Sequence, residues 1–451
     1  MKPLKIVNVV DIKPTQLITH FWGALCVMVM VAIAGCSPPG RPQPLPTAST
    51  HTQSSQAIEP ESLPTLTANQ PPDPATQAIV QQYLNELAAQ GFDPKKQGIW
   101  IQAGETLLAK HQGRVPLPAA SIDKVATTLV ALKTFGPDHQ FLTHISATGP
   151  VEAGTLQGDL VIEGGEDPFF VWETAVAVGN QLNELGIRRV SGNLILVGKF
   201  YMNFELSPLA SGKLLQQGLN AQEWPAEAQT QYNTLPAGTP QPQVTIDGAV
   251  QVTTAPPDTL RPLLRHRSFP LAELLKKMNR YSNTAMATML NEALGGAAIV
   301  AQKAAAAAAV PTAEIRVGPG NRISPRAAVA MTLAIEHFLQ NHRMTIADVF
   351  TIVGTDAGFL QSRSLPALSV LKSGIYDHIA ALTGGVPSRE QGVIWLAVLS
   401  VGTPSETAQT EQEELLERLL QHWGRVSTSL PELRPQASRS VKTSSTEKMT
   451  P

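Results

Sequence analysis

Leu117-Pro118-Ala119-Ala120-Ser121-Ile122-Asp123-Lys124-Val125-Ala126 is the stretch on which the reading of this chain turns. A proline-led loop delivers a serine to the start of an apolar helix, and a lysine follows three residues later. Residues three apart share a helix face, so Ser121 Oγ and Lys124 Nζ can meet. A hydroxyl and an amine so placed form a candidate nucleophile and base for acyl transfer. Spacing alone is weak, because Ser369…Lys372 and Ser445…Lys448 repeat it. The rest of the chain has to choose among the three.

The 451 residues leave room for two or three domains. With 43% hydrophobic and 16% charged residues, the composition is that of a globular protein with a sizeable core. A formal net charge of −2 gives no sign of a nucleic-acid surface, and no nucleic-acid partner is expected. The two cysteines, Cys26 and Cys36, both lie near the N-terminus, so the body is expected to hold neither a disulfide nor a thiolate metal site. No zinc, P-loop or Gly-x-Ser-x-Gly signature occurs, and neither metal nor cofactor is expected. His337 and His342 are five apart and read as surface residues.

Working towards the N-terminus, Lys2, Lys5 and Lys13 precede an apolar run from Phe21 to Gly35 that ends Ile33-Ala34-Gly35-Cys36. A positive flank, an apolar region of this length and small residues before a cut describe a signal peptide over 1–36. The cysteine after Ile-Ala-Gly resembles the bacterial lipobox, which implies that the Cys36 thiol is acylated. Leu17 to Gly35 is also just long enough for an uncleaved anchor. Either reading puts the body on the periplasmic side, in the cell envelope. Residues 37–75 carry ten of the 36 prolines and few large apolar residues, and read as an extended tether.

From Thr76, apolar residues recur at helical spacing through Leu87. Gly98–Gln102 and Thr106–Lys110 read as a hairpin around Ala103-Gly104-Glu105. These and the Ser121 helix make a first segment, 76–140. Residues 141–265 differ in texture: short β-like runs at 160–162, 193–197 and 243–246, broken by Gly and Pro, with one helical segment near 174–185. This predicts an inserted domain, mainly of strands, in which Gly164-Gly165-Glu166-Asp167-Pro168 is a tight turn. Residues 266–426 return to helical spacing, then give three strand-like runs (368–371, 378–382 and 393–399) and a closing helix over 405–425. The tail, 427–451, is polar and reads as disordered.

Arg114-Val-Pro-Leu-Pro-Ala-Ala-Ser-Ile-Asp-Lys124 is similar to the D-alanyl-D-alanine carboxypeptidase/endopeptidase family of low-mass penicillin-binding proteins. So are Phe135-Gly-Pro-Asp-His-Gln-Phe141, Leu156-Gln-Gly-Asp-Leu160 with Gly164–Pro168, Tyr281-Ser-Asn, Asn321-Arg-Ile-Ser-Pro-Arg326 and Lys372-Ser373-Gly374. The resemblance runs from about 76 to 402. It implies a mixed α/β, penicilloyl-serine-transferase fold: an antiparallel sheet flanked by helices, a helical lobe and an inserted β-rich domain. It also selects Ser121 as nucleophile and Lys124 as base, with Ser282 relaying a proton to the departing amine. Asn283, Thr284, Lys372, Ser373 and Gly374 are then the substrate-binding set.

For Lys124 to be a base its pKa must fall from ~10.4, through desolvation or a neighbouring cation, and the helix N-terminus and the second cation, Lys372, are expected to push that way. The implied substrate is a peptidoglycan stem peptide, with β-lactams as inhibitors and a lipid anchor to the membrane. Two departures stand out. Thr284 occupies the place of the usual asparagine in Ser-x-Asn, and Val317–Gly320 replaces a longer loop. Tyr281-Ser282-Asn283 also fits an alternative Tyr-x-Asn register. These departures motivate a second reading, a catalytically impaired lipoprotein that only binds peptidoglycan. β-Lactam hydrolysis is a third, for which no deacylating carboxylate is evident.

Overall fold

The computed structural model describes residues 71–436 and 443–449. The signal peptide, Cys26, the lipobox cysteine Cys36 and most of the 37–75 tether lie outside these residues.

The first described helix, Pro74–Ala89, begins where Asp73 accepts from Thr76 N at 2.8 Å and Pro74 supplies the first-turn φ. Its Val80, Tyr83, Leu84 and Leu87 form one buried face. That face and the closing helix Ser405–Trp423 cover one side of an antiparallel sheet. The sheet runs Thr351–Ile352, Val370–Tyr376, Ile379–Ser388, Gly392–Val401, Gln97–Ala103, Thr106–His111. Alternation along the strands sorts side chains between two cores. Ile99, Ile101, Leu396 and Val398 face the two helices just named. Trp100, Trp395, Ala397 and Leu399 face the other side.

That other side carries the helical lobe, centred on helix Asp123–Phe135. Every residue from Lys124 to Leu132 is buried, as expected of a helix enclosed by neighbours. Its interior polar groups are matched: Thr127 Oγ1 donates to Asn291 Oδ1 at 2.9 Å, and Asn279 Nδ2 donates to Thr128 Oγ1 at 3.0 Å. These bonds fix helices Leu271–Arg280 and Thr284–Ala293 against it in one rotation. Leaving either partner unpaired would cost about 1–3 kcal/mol.

The insertion leaves and rejoins at adjacent points, where Phe141 N donates to Ser268 Oγ and Ser268 N to Phe141 O, both at 2.9 Å. Its main sheet is ordered Val250–Thr253, Leu194–Lys199, Leu160–Gly165, Leu142–Ala147, Arg261–Arg267, Ser445–Lys448. The first three strands are parallel, joined by crossovers that contain helices Trp172–Glu184, Pro208–Gly218 and Ala226–Tyr232. The insertion thus holds two helices beyond the single helical segment expected near 174–185. Helix Pro208–Gly218 carries little apolar signal because three of its four buried residues, Ser211, Gly212 and Gly218, are small. A Cβ on Gly212 would lie 2.5 Å from Val250 Cγ1, so close packing replaces a bold apolar stripe.

The tail is also corrected. Leu433 is fully buried in the core of the helical lobe. Ser445–Lys448 adds an antiparallel strand to Arg261–Arg267, with Arg265 and Arg267 both bonding Glu447. A polar sequence suits such an edge strand, since backbone pairing holds it rather than side-chain burial.

Candidate active site

Ser121 lies in a single 3-10 turn, Ala120–Ile122, that runs into helix Asp123–Phe135. Ala120 just before it has φ 45°, a left-handed conformation that non-glycine residues rarely adopt. Asn321 holds it there: Ala119 N donates to its Oδ1 at 3.2 Å, and its Nδ2 donates to Ala120 O at 2.9 Å. The turn presents Ser121 Oγ 3.1 Å from Lys124 Nζ. Lys124 is 2% exposed.

Helix Leu271–Arg280 ends just before the second cluster. Ser282 also has a positive φ, 51°, and its Oγ accepts from Lys372 Nζ at 3.0 Å. Thr284 Oγ1 accepts from Lys124 Nζ at 3.3 Å. The register is thus the one in which Ser282 and Thr284 point at the lysines. Two expectations change. Asn283 was placed among the substrate-binding residues, but its Oδ1 accepts from Met286 N at 2.9 Å and caps helix Thr284–Ala293. Ser282 meets Lys372 rather than Lys124. Tyr281 is 52% exposed beside the Arg280 guanidinium and bonds neither lysine.

The third cluster sits on strand Val370–Tyr376, whose outer edge has a strand partner only at Val370 and Leu371. Lys372 is 2% exposed and also donates to Ser373 O. Ser373 is buried beside it. Gly374 faces the nucleophile turn: a Cβ there would lie 2.7 Å from both Ala119 O and Ser121 N. Only glycine lets the strand approach this closely.

Burial lowers the Lys124 pKa, and the Asp123 charge opposes it. Lys372 is held down to about 7, by burial first and then by the Lys124 ammonium. Of the causes expected at Lys124, desolvation is the principal one, and the cation–cation effect falls on Lys372. The two lysines are nonetheless coupled, since a proton on one disfavours a proton on the other. The site therefore holds an amine that can accept a proton near neutral pH, within reach of a serine hydroxyl.

Two participants were missed. Asn321 stands in the Asn321–Arg326 motif, and its partners are some 200 residues away in the chain. Asp123 lies between Ser121 and Lys124 in sequence, and its Oδ2 accepts from Gly318 N at 3.3 Å. Burial raises its pKa against the pull of Lys124, that N–H, Asn321 and Lys372. Its place within the Ser-x-x-Lys motif was the available signal.

Residues 80–208 and 227–422 match the D-Ala-D-Ala carboxypeptidase 3 (S13) family. This chain belongs to that family. A D-alanyl-D-alanine carboxypeptidase of an Actinomadura species is 35% identical over 92 residues, 20% of this chain and 17% of that protein. One from Haemophilus influenzae is 27% identical over 90 residues, 20% of this chain and 19% of its own length. The aligned stretches thus span less than a fifth of these relatives. Solved structures match more widely. A predatory peptidoglycan endopeptidase from Bdellovibrio bacteriovorus superposes with a TM-score of 0.61 at 19% identity, over 77% of this chain and 98% of its own. Penicillin-binding protein 4 from Haemophilus influenzae gives a TM-score of 0.53 at 16% identity, over 76% and 99%. At these identities the likeness is one of fold, and it places this S13 chain among penicillin-binding-protein architectures.

Proposed function

We propose that this S13 protein is a serine-type D-Ala-D-Ala carboxypeptidase or endopeptidase that cleaves peptidoglycan stem peptides through an acyl-enzyme on Ser121. The observation that carries the reading is the paired contact of two buried lysines with two hydroxyls. Lys124 Nζ is 3.1 Å from Ser121 Oγ, and Lys372 Nζ is 3.0 Å from Ser282 Oγ. The family match supports it, as do the names of the relatives. The endopeptidase with the same fold is also known in a penicillin G-acylated form.

In this reading neutral Lys124 takes the Ser121 hydroxyl proton as Oγ bonds to the peptide carbonyl carbon. The carbonyl oxygen gains charge near Ser121 N and the free edge of strand Val370–Tyr376, where backbone N–H groups can meet it. The C–N bond then breaks, and the departing amine takes a proton from the Lys124–Thr284 side of the site. Water hydrolyses the remaining ester and restores Ser121. The substrate lies along the strand edge with its carboxylate towards Ser373 and the Lys372–Ser282 pair. The lysine–hydroxyl contacts favour an enzyme over a binder without activity.

The sequence around Cys36 supports a lipid-anchored protein on the periplasmic side of a membrane. Metabolic labelling with a fatty acid should mark the wild type and not Cys36→Ala. Unchanged labelling of that variant would remove the anchor from the proposal. For the activity, a fluorescent penicillin should label the wild type and not Ser121→Ala. A label that persists in the variant, or none in the wild type, would sink it.

A further inference from the structure

Asp123 has no part in the chemistry just described, yet its carboxylate lies within the site. Its Oδ2 accepts from Gly318 N, 195 residues along the chain, at 3.3 Å. Gly318 and Gly320 have φ of 84° and 66°, so the 317–320 turn depends on glycine. The next residue, Asn321, bonds both Ala119 N and Ala120 O and holds Ala120 at its left-handed φ. One short connection therefore runs from the first turn of the nucleophile helix, through the loop, back to the residues that aim Ser121.

We propose that Asp123 is a positioning residue for acyl transfer: it fastens the 318–321 loop against the nucleophile turn and supplies a negative charge beside both site lysines. The groups that face it are Lys124 on its own helix, Lys372 from the strand, and the Gly318 N–H and Asn321 amide from the loop. The charge favours protonated Lys124 and protonated Lys372, opposing burial at each. It thereby sets how high the pH must rise before Lys124 is free to take the Ser121 proton. An acid in the first turn of a helix can serve only to oppose the helix dipole. Here the carboxylate bonds a distant loop instead of its own helix, and its neighbours are the reacting groups.

The inference rests on Ser121 being acylated, so wild-type labelling by a fluorescent penicillin is measured first; its absence overturns the activity and not the role of Asp123 alone. The rate of labelling is then followed against pH for wild type, Asp123→Asn and Asp123→Ala, with folding checked by thermal unfolding. Asparagine keeps an acceptor for Gly318 N and loses the charge. Its acid limb should move to lower pH by about one unit, because removing an adjacent anion lowers a lysine pKa. Alanine loses both, and its plateau rate should also fall, by about 10- to 100-fold for a misplaced nucleophile. Acid limbs identical to wild type in both variants, with only a lowered melting temperature, would reduce Asp123 to a helix-stabilising residue and overturn the proposal. If asparagine does not fold, Asp123→Ser, with a hydroxyl acceptor and no charge, carries the same test.

Discussion

Gly374 and Ser121 approach so closely that a Cβ on the glycine would stand 2.7 Å from the serine's backbone nitrogen. The edge strand and the nucleophile turn are thus set by a contact in which one side has no side chain. Ala119 O stands at the same 2.7 Å, so the obstruction is backbone on both counts and cannot swing aside. Gly374→Ala must push strand and turn apart. A displacement of about 1 Å can cost about 100-fold in rate, and penicillin labelling should fall by that order in a protein that still unfolds cooperatively. Labelling at the wild-type rate would refute this role.

Lys372 makes a prediction about stability. Burial and Lys124 depress its pKa from 10.5 to about 7, so between those values the unfolded chain holds the proton more often than the folded one. Stability rises with pH wherever the unfolded state binds more protons. This group therefore adds an increase in unfolding free energy as pH rises from about 7 towards 10.5, and a constant penalty below about 7. Denaturant unfolding at a series of pH values should show a positive slope in the wild type and a flatter one in Lys372→Met. Equal slopes would contradict the sign.

The second cluster separates chemistry from capping. Thr284→Ala removes the hydroxyl facing Lys124 and should slow labelling by roughly tenfold, about the worth of one hydrogen bond to a charged group. Asn283→Ala should instead lower stability by about 1 kcal/mol through loss of a helix cap. Tyr281→Phe should leave labelling unchanged. A large loss of labelling in the tyrosine variant alone would restore the other register.

The tail strand is testable without touching the site. Truncation after Gln436 removes one of the two strand partners of Arg261–Arg267, the one paired through Leu264↔Lys448 and Arg267↔Ser445. Hydrogen exchange in residues 264–267 should quicken while penicillin labelling stays the same. The exposed Arg265–Glu447 pair adds little by itself. No change in exchange would argue against a docked strand.

Periodicity marked most of the catalytic core because its elements are long and amphipathic. Ile99 and Ile101 against Trp100 announce a strand with two buried faces, and Val80 to Leu87 announce a helix. The insertion was less legible. Its helix over 208–218 packs through glycines, and parallel pairing between 160–165 and 194–199 leaves no mark on either segment alone. The capping role of Asn283 was not legible, because an asparagine before a helix looks the same whether it caps or binds.

The sequence by itself put Ser121 and Lys124 within reach of each other, since a spacing of three on a helix fixes where two side chains can meet, and the family resemblance picked this pair from three equal matches. It also named Lys372-Ser373-Gly374, through the resemblance, directly after a strand-like run at 368–371. Only the tertiary structure decided which hydroxyl each lysine reaches, that Asn321 holds Ala120 in its strained turn, and that Asp123 grips Gly318. Those contacts join residues about 90 to 200 positions apart. Local spacing constrains neighbours through the backbone, whereas distant partners are chosen by packing, and packing belongs to the folded chain.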